Sequence, residues 1–135
     1  MYKHILVTVA IDAMNNSEQS LKAAKLLAGT DGRVTLLHVR EEIPGYASPY
    51  IPEGFDAEQK ELVHKHLEVL ADQLEGANAV VVTGHAGRSI IDWADDNKVD
   101  CIIVASHRPG LQDYFLGSTA ARVVRHAQCA VHILR

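Results

Sequence analysis

Five short runs rich in valine, isoleucine and leucine punctuate the chain: HILVTVAI (4–11), RVTLLHV (33–39), ANAVVVT (77–83), CIIVAS (101–106) and AVHILR (130–135). Most lack the strict alternation of a strand with one wet face, so they read as strands buried on both sides of a parallel sheet. Helical patterns separate them. Ser17 can cap a helix that carries Leu21, Ala24 and Leu27 and is stopped by Gly29. Val63, Leu67, Leu70 and Leu74 recur at three and four residues, with Gly76 behind them. Ile90, Ile91, Trp93 and Ala94 mark a third helix, and Val123, Val124 and Ala127 a fourth.

Strand and helix therefore alternate four times before a last strand. That order predicts an α/β fold: a doubly wound five-stranded parallel sheet, strand order 3-2-1-4-5, in three α/β/α layers with right-handed crossovers. The order reverses between the first and fourth strands. Ligands of such sheets bind at the reversal, beyond the carboxyl ends of the strands.

With 135 residues and no internal repeat, low-complexity tract or linker, the chain is expected to form one domain, 1–135. A formal charge of −4 with both signs interspersed argues against a general nucleic-acid or membrane-surface binder. The opening MYKHILVTVAID holds too short an apolar run for a secretory segment, and nothing approaches a membrane span, so a cytoplasmic location is expected. Two cysteines, Cys101 and Cys129, are too few for a disulfide framework and read as small buried hydrophobes.

One connection is long. Residues 40–56, REEIPGYASPYIPEGFD, hold three of the four prolines and the aromatics Tyr46, Tyr50 and Phe55. They form either a surface excursion packed on its own aromatics or a flap near a ligand.

The fourth strand leads into ASHRPGLQDYFLGSTAARVVRH (105–126), where Gly117, Ser118 and Thr119 precede the last helix. A helix start carries unpaired N–H groups and the positive end of the macrodipole, and both hydroxyls can donate to an anion. A plain N-cap and turn would look the same locally. No G-x-x-x-x-G-K-[ST], G-x-G-x-x-G or G-x-S-x-G stands in the chain.

The opening YKHILV, the second-strand LLHV and the ending VDCIIVASHRPGLQDYFLGSTAARVVRHAQCAVHILR resemble the universal stress protein family in its small single-domain form. The resemblance spans essentially the whole chain. It implies a stress-response protein that binds ATP, with or without Mg²⁺, through G-x-x-G, nine residues, then G-[ST]. Gly117 and Ser118 match the second half of that pattern, whereas Ala105 and Arg108 replace the two glycines and eight residues, Pro109 to Leu116, intervene. Pro109 lacks an N–H and biases Arg108 towards an extended conformation, so this loop offers fewer amides. Arg108 can answer with a forked contact to phosphate. On this reading Ala105, Ser106, His107, Arg108, Gly117, Ser118 and Thr119 border the ribose and phosphates. Val39 meets the base through its backbone. The family's aspartate after the first strand falls on Ala10 without gaps and on Asp12 with two residues inserted. TGHAG (83–87) resembles the family's loop after the third strand, with Gly84 making a tight turn.

His64 and His66, two apart on one helix, cannot chelate together. Asp92, Asp95 and Asp96 read as a solvated helix face. If the fourth and fifth strands are neighbours, Cys101 and Cys129 share one end of the sheet, where a zinc or redox pair is conceivable. No nucleophile–base–orienter set is visible, so hydrolysis is at most slow. Family members dimerise through the last strand, which implies a homodimer across 130–134. Two functions compete: adenine-nucleotide binding at 105–119, or a nucleotide-independent dimeric interaction module whose loop is altered. A flavodoxin-like receiver would need an aspartate ending the third strand, where Thr83 and Gly84 stand.

Overall fold

The computed structural model describes residues 1–10, 17–105 and 116–135. Strands β1 (His4–Thr8), β2 (Arg33–Arg40), β3 (Asn78–Thr83), β4 (Cys101–Ala105) and β5 (Ala130–Leu134) form one sheet in the order β3-β2-β1-β4-β5. All four pairings are parallel. The expected doubly wound order therefore holds. It follows from strands apolar on both faces, which must be covered twice.

Helices α1 (Glu18–Ala28), α2 (Phe55–Ala71), α3 (Ala86–Asp96) and α4 (Ser118–His126) supply that cover. Alternate residues along each strand feed opposite cores. Ile5, Val7 and Leu36 pack with Leu21 and Ala24 of α1 and Val63 and Leu67 of α2. Leu6, Leu37 and Ile102 pack with Ile90 and Ala94 of α3 and Ala120 and Val123 of α4.

Some boundaries differ from the sequence reading. β1 stops at Thr8, although the Val9 amide still reaches the Leu37 carbonyl at 2.9 Å. Ser17 takes the N-cap position of α1, its carbonyl accepting the Leu21 amide, while its side chain makes no capping bond. Gly29 ends α1 at φ 63°, a conformation open to glycine and strained for other residues. Val124 is 47% exposed, so α4 buries a narrower stripe than its apolar count suggests.

The two cysteines share one end of the sheet, Cys101 lying opposite Ala130, the neighbour of Cys129. They are one residue out of phase, however. Cys101 faces the α1–α2 core and Cys129 the α3–α4 core. Burial raises both thiol pKa values, that of Cys101 to about 11, so neither is a ready thiolate at neutral pH. A shared zinc or redox pair does not fit this arrangement.

Candidate functional site

The expected site lies at the carboxyl ends of the strands. β1 and β4 are neighbours in the sheet, as the reversal requires. α3 and α4 follow β3 and β4 in the chain.

The turn before α3 is shaped by Gly84. Its amide donates to the Arg40 carbonyl at 2.8 Å, its φ is 156°, and a Cβ there would meet Ser89 Oγ at 2.5 Å. The expected tight turn is thus one only glycine can make. It delivers His85 to the N-cap position of α3.

At α4 the N-cap is Gly117, whose carbonyl accepts the Ala121 amide at 2.8 Å. Its φ of −58° and ψ of 153° suit any residue, so backbone conformation does not demand glycine here. Ser118 is the first helical residue rather than the cap, and it is exposed. The amides of that turn have no partner within the helix.

Between the two helix starts lies a cleft of about 420 Å³, a volume typical of ligand sites. Ser118 and Thr119 line it from α4, and His85 and Ala86 from α3. Glu41, just past β2, closes a third side. Arg122, Arg125 and His126 continue the wall along α4. Among the described residues neither arginine has a carboxylate within ion-pairing distance. Among the described residues the cleft therefore carries two unpaired arginines and one carboxylate, Glu41, beside two helix starts, a local excess of positive charge in a chain whose net charge is −4.

The predicted site residues divide. Ser118 and Thr119 line the cleft, and Gly117 immediately precedes them as the N-cap. Ala105 is the exposed last residue of β4. Val39 is half-buried in β2, paired with Val82 and two residues before Glu41. Beside it His38 is buried, with Nδ1 2.7 Å from the Val9 carbonyl, which ties the ends of β1 and β2 together. Asp12, Ser106, His107 and Arg108 lie outside the described residues.

Sequence reasoning missed His85, Arg122, Arg125 and His126. A signal was present: 118, 122 and 125–126 follow helical spacing on the face of α4 opposite Ala120 and Val123.

The long connection begins at the cleft with Glu41. Arg40 Nη2 donates to Asp56 Oδ1 at 2.7 Å and draws its two ends together, while Arg40 Nη1 is buried without a partner among the described residues. Tyr46 and Tyr50 are 83% and 87% exposed, so the segment does not pack on its own aromatics. A short 3₁₀ turn, Ser48–Tyr50, stiffens it.

The family model for the universal stress protein family matches residues 1–135. The chain belongs to the universal stress protein family. Among relatives of this stress protein, universal stress protein A homolog 2 of Coxiella burnetii is 35% identical over 140 residues, covering 99% of this chain and 95% of that one. The solved structure of the hypothetical protein MJ0577 is 26% identical with a TM-score of 0.83, covering 99% and 96% of the two chains. Two more distant structures share the fold. A universal stress protein in complex with cAMP has a TM-score of 0.64 at 17% identity, covering 99% and 97%. A family member from Arabidopsis thaliana with AMP bound has 0.61 at 20%, covering 98% and 90%. No helix among the described residues is long and apolar enough to cross a membrane.

Proposed function

We propose that this universal stress protein binds an adenine nucleotide, ATP foremost, at the carboxyl ends of its first and fourth strands, and that residues 1–135 act as one nucleotide-binding domain. The observation that carries this reading is the cleft at the start of α4, where Ser118 and Thr119 share a wall with two arginines that have no ion-pair partner among the described residues. Solved relatives with cAMP and AMP support adenine as the base.

In this reading the amides of α4's first turn and the Ser118 and Thr119 hydroxyls donate to phosphate oxygens. The backbone of Val39 meets the base, with Asp12 beside it. Ala105, Ser106, His107 and Arg108 border the ribose and phosphates from the loop after β4. Glu41 is the cleft's one carboxylate among the described residues. One such group suffices for Mg²⁺, which keeps most of its waters and rides on the phosphates. No described side chains form a nucleophile and its base at the cleft, so turnover is at most slow and the nucleotide acts by occupancy. Nucleotide state would then alter which partners the protein meets in a cytoplasmic stress response.

The test is calorimetric titration with ATP, with and without Mg²⁺. Saturable binding below millimolar supports the reading. Absence of heat at millimolar ATP sinks it and leaves the nucleotide-independent module, which Ala105 and Arg108 in place of glycines would favour.

The same reading includes a homodimer across residues 130–134. β5 pairs only with β4 and is an edge of the sheet, and an apolar edge is normally covered. Val131→Lys should sediment as a monomer where wild type sediments as a dimer; an unchanged dimer refutes the pairing.

A further inference from the structure

The cleft does not end at the first turn of α4. Its wall runs from Ser118 to Arg125, seven residues and about 10 Å along the helix axis. Arg122 and Arg125 line the same cleft as Ser118 and Thr119, one and two turns further along the helix.

Arg122 is held for this. A Cβ on Gly87 would meet Arg122 Cδ at 2.7 Å, so the arginine's stem lies against the first turn of α3. Gly87 is itself buried. Cations in a helix's last turn favour its negative end, which by itself accounts for Arg125 and His126. It does not account for Arg122, in mid-helix and without a carboxylate partner among the described residues. A guanidinium presents forked donors matched to phosphate, and two in series match a chain of phosphates better than one.

We infer that Arg122 and Arg125 hold the distal phosphates of a polyphosphate chain, so that the cleft selects nucleoside triphosphates over monophosphates. This rests on the nucleotide reading above but is separable from it, since inorganic tripolyphosphate presents the same chemistry without base or ribose. The first turn of α4 holds the phosphate nearest the ribose, and the arginines discriminate by tail length.

The experiment compares AMP, ADP, ATP and tripolyphosphate on wild type, Arg122→Gln and Arg125→Gln by calorimetry at fixed ionic strength. Both arginines are exposed, so the variants should melt as wild type does. Each substitution should weaken ATP about tenfold and leave AMP unchanged. Gly87→Ala, which displaces the Arg122 stem, should reproduce part of that loss. Equal affinity of wild type for ATP and AMP, or ATP binding indifferent to both arginines, overturns the inference. If neither nucleotide binds but tripolyphosphate does and needs the arginines, the inference stands and the adenine reading falls. If nothing binds, both fall.

Discussion

The two ends of the sheet treat polar groups in opposite ways. At the amino ends of the strands the buried His4 and Thr35 are joined to each other and to more exposed partners. Arg33 Nη2 donates to His4 Nδ1 at 2.9 Å, His4 Nε2 lies 2.8 Å from Thr35 Oγ1, and the Thr35 hydroxyl donates to Asn78 Oδ1 at 2.8 Å. The Asp100 carboxylate accepts the amides of Lys3 at 2.8 Å and His4 at 3.0 Å. Trp93 closes over the His4 ring, edge to face at 5.8 Å. At the carboxyl ends Ser118 and Thr119 line an open cleft, which Arg122 and Arg125 continue along α4. Buried polar groups must be paired at once, whereas donors facing water can wait for a ligand. The first end holds the fold together and the second is available for work.

Gly117→Val should sharpen that contrast most. The φ and ψ at 117 are ones valine adopts, so melting should stay near wild type, while on the nucleotide reading the added side chain keeps phosphate from the helix start. ATP affinity, read by calorimetry, should fall about a hundredfold or more. Binding retained at full strength would mean that phosphate does not approach this turn.

Thr35→Val is the converse, and it acts on stability. It keeps the shape but strips the hydroxyl between His4 and Asn78 at a residue only 1% exposed, leaving the buried His4 Nε2 without that partner while the exposed Asn78 can turn to water. Denaturant unfolding should show a loss of about 1–3 kcal/mol with ATP affinity unchanged. A loss of ATP binding without a loss of stability would break the division between the two ends.

The sheet was legible because strands buried on both faces leave continuous apolar runs, and four strand–helix alternations restrict the topology to a few forms. The helix start at Gly117, Ser118 and Thr119 was legible from local chemistry, but an anion site there was not, since a plain N-cap and turn reads the same. The arginines were not, because a polar helix face looks alike whether it meets solvent or a cleft. Only the apposition of α3 and α4, through Gly87 and Arg122, separates the two cases. The His4–Thr35–Asn78 relay was hidden for a similar reason. It needs the register that sets His4 beside Arg33 and Thr35 beside Asn78, which local sequence does not state. The phase of Cys101 and Cys129 could have been read by counting, once those strands were taken as neighbours.

Acid should touch the amino-end region with the smallest effect of the three. Burial lowers the His4 pKa against the pull of the Asn97 carbonyl, and the Arg33 cation adds to the lowering. A histidine depressed in the folded state contributes stability that is present above its ordinary pKa of about 6.5 and lost as pH falls towards the folded value. Burial alone would raise the pKa of Asp100, but the Lys3 and His4 amides hold it lower on balance, so its contribution fades only in stronger acid. Melting temperature should therefore decline below about pH 6.5 and again near pH 4 and below. Asp100→Asn should flatten the second decline and deepen the first, because the Asp100 charge favours protonated His4. A melting temperature level from pH 7 to pH 4 would contradict the assignment.

The central claim is that the two ends divide structure from binding, and amide NMR of the labelled protein titrated with ATP tests it most directly. The account predicts saturable shifts at Gly117, Ser118 and Thr119, extending to Arg122 and Arg125, while His4, Thr35 and Asn78 stay in place. Shifts centred on the amino-end network, or none at saturating ATP, would contradict it.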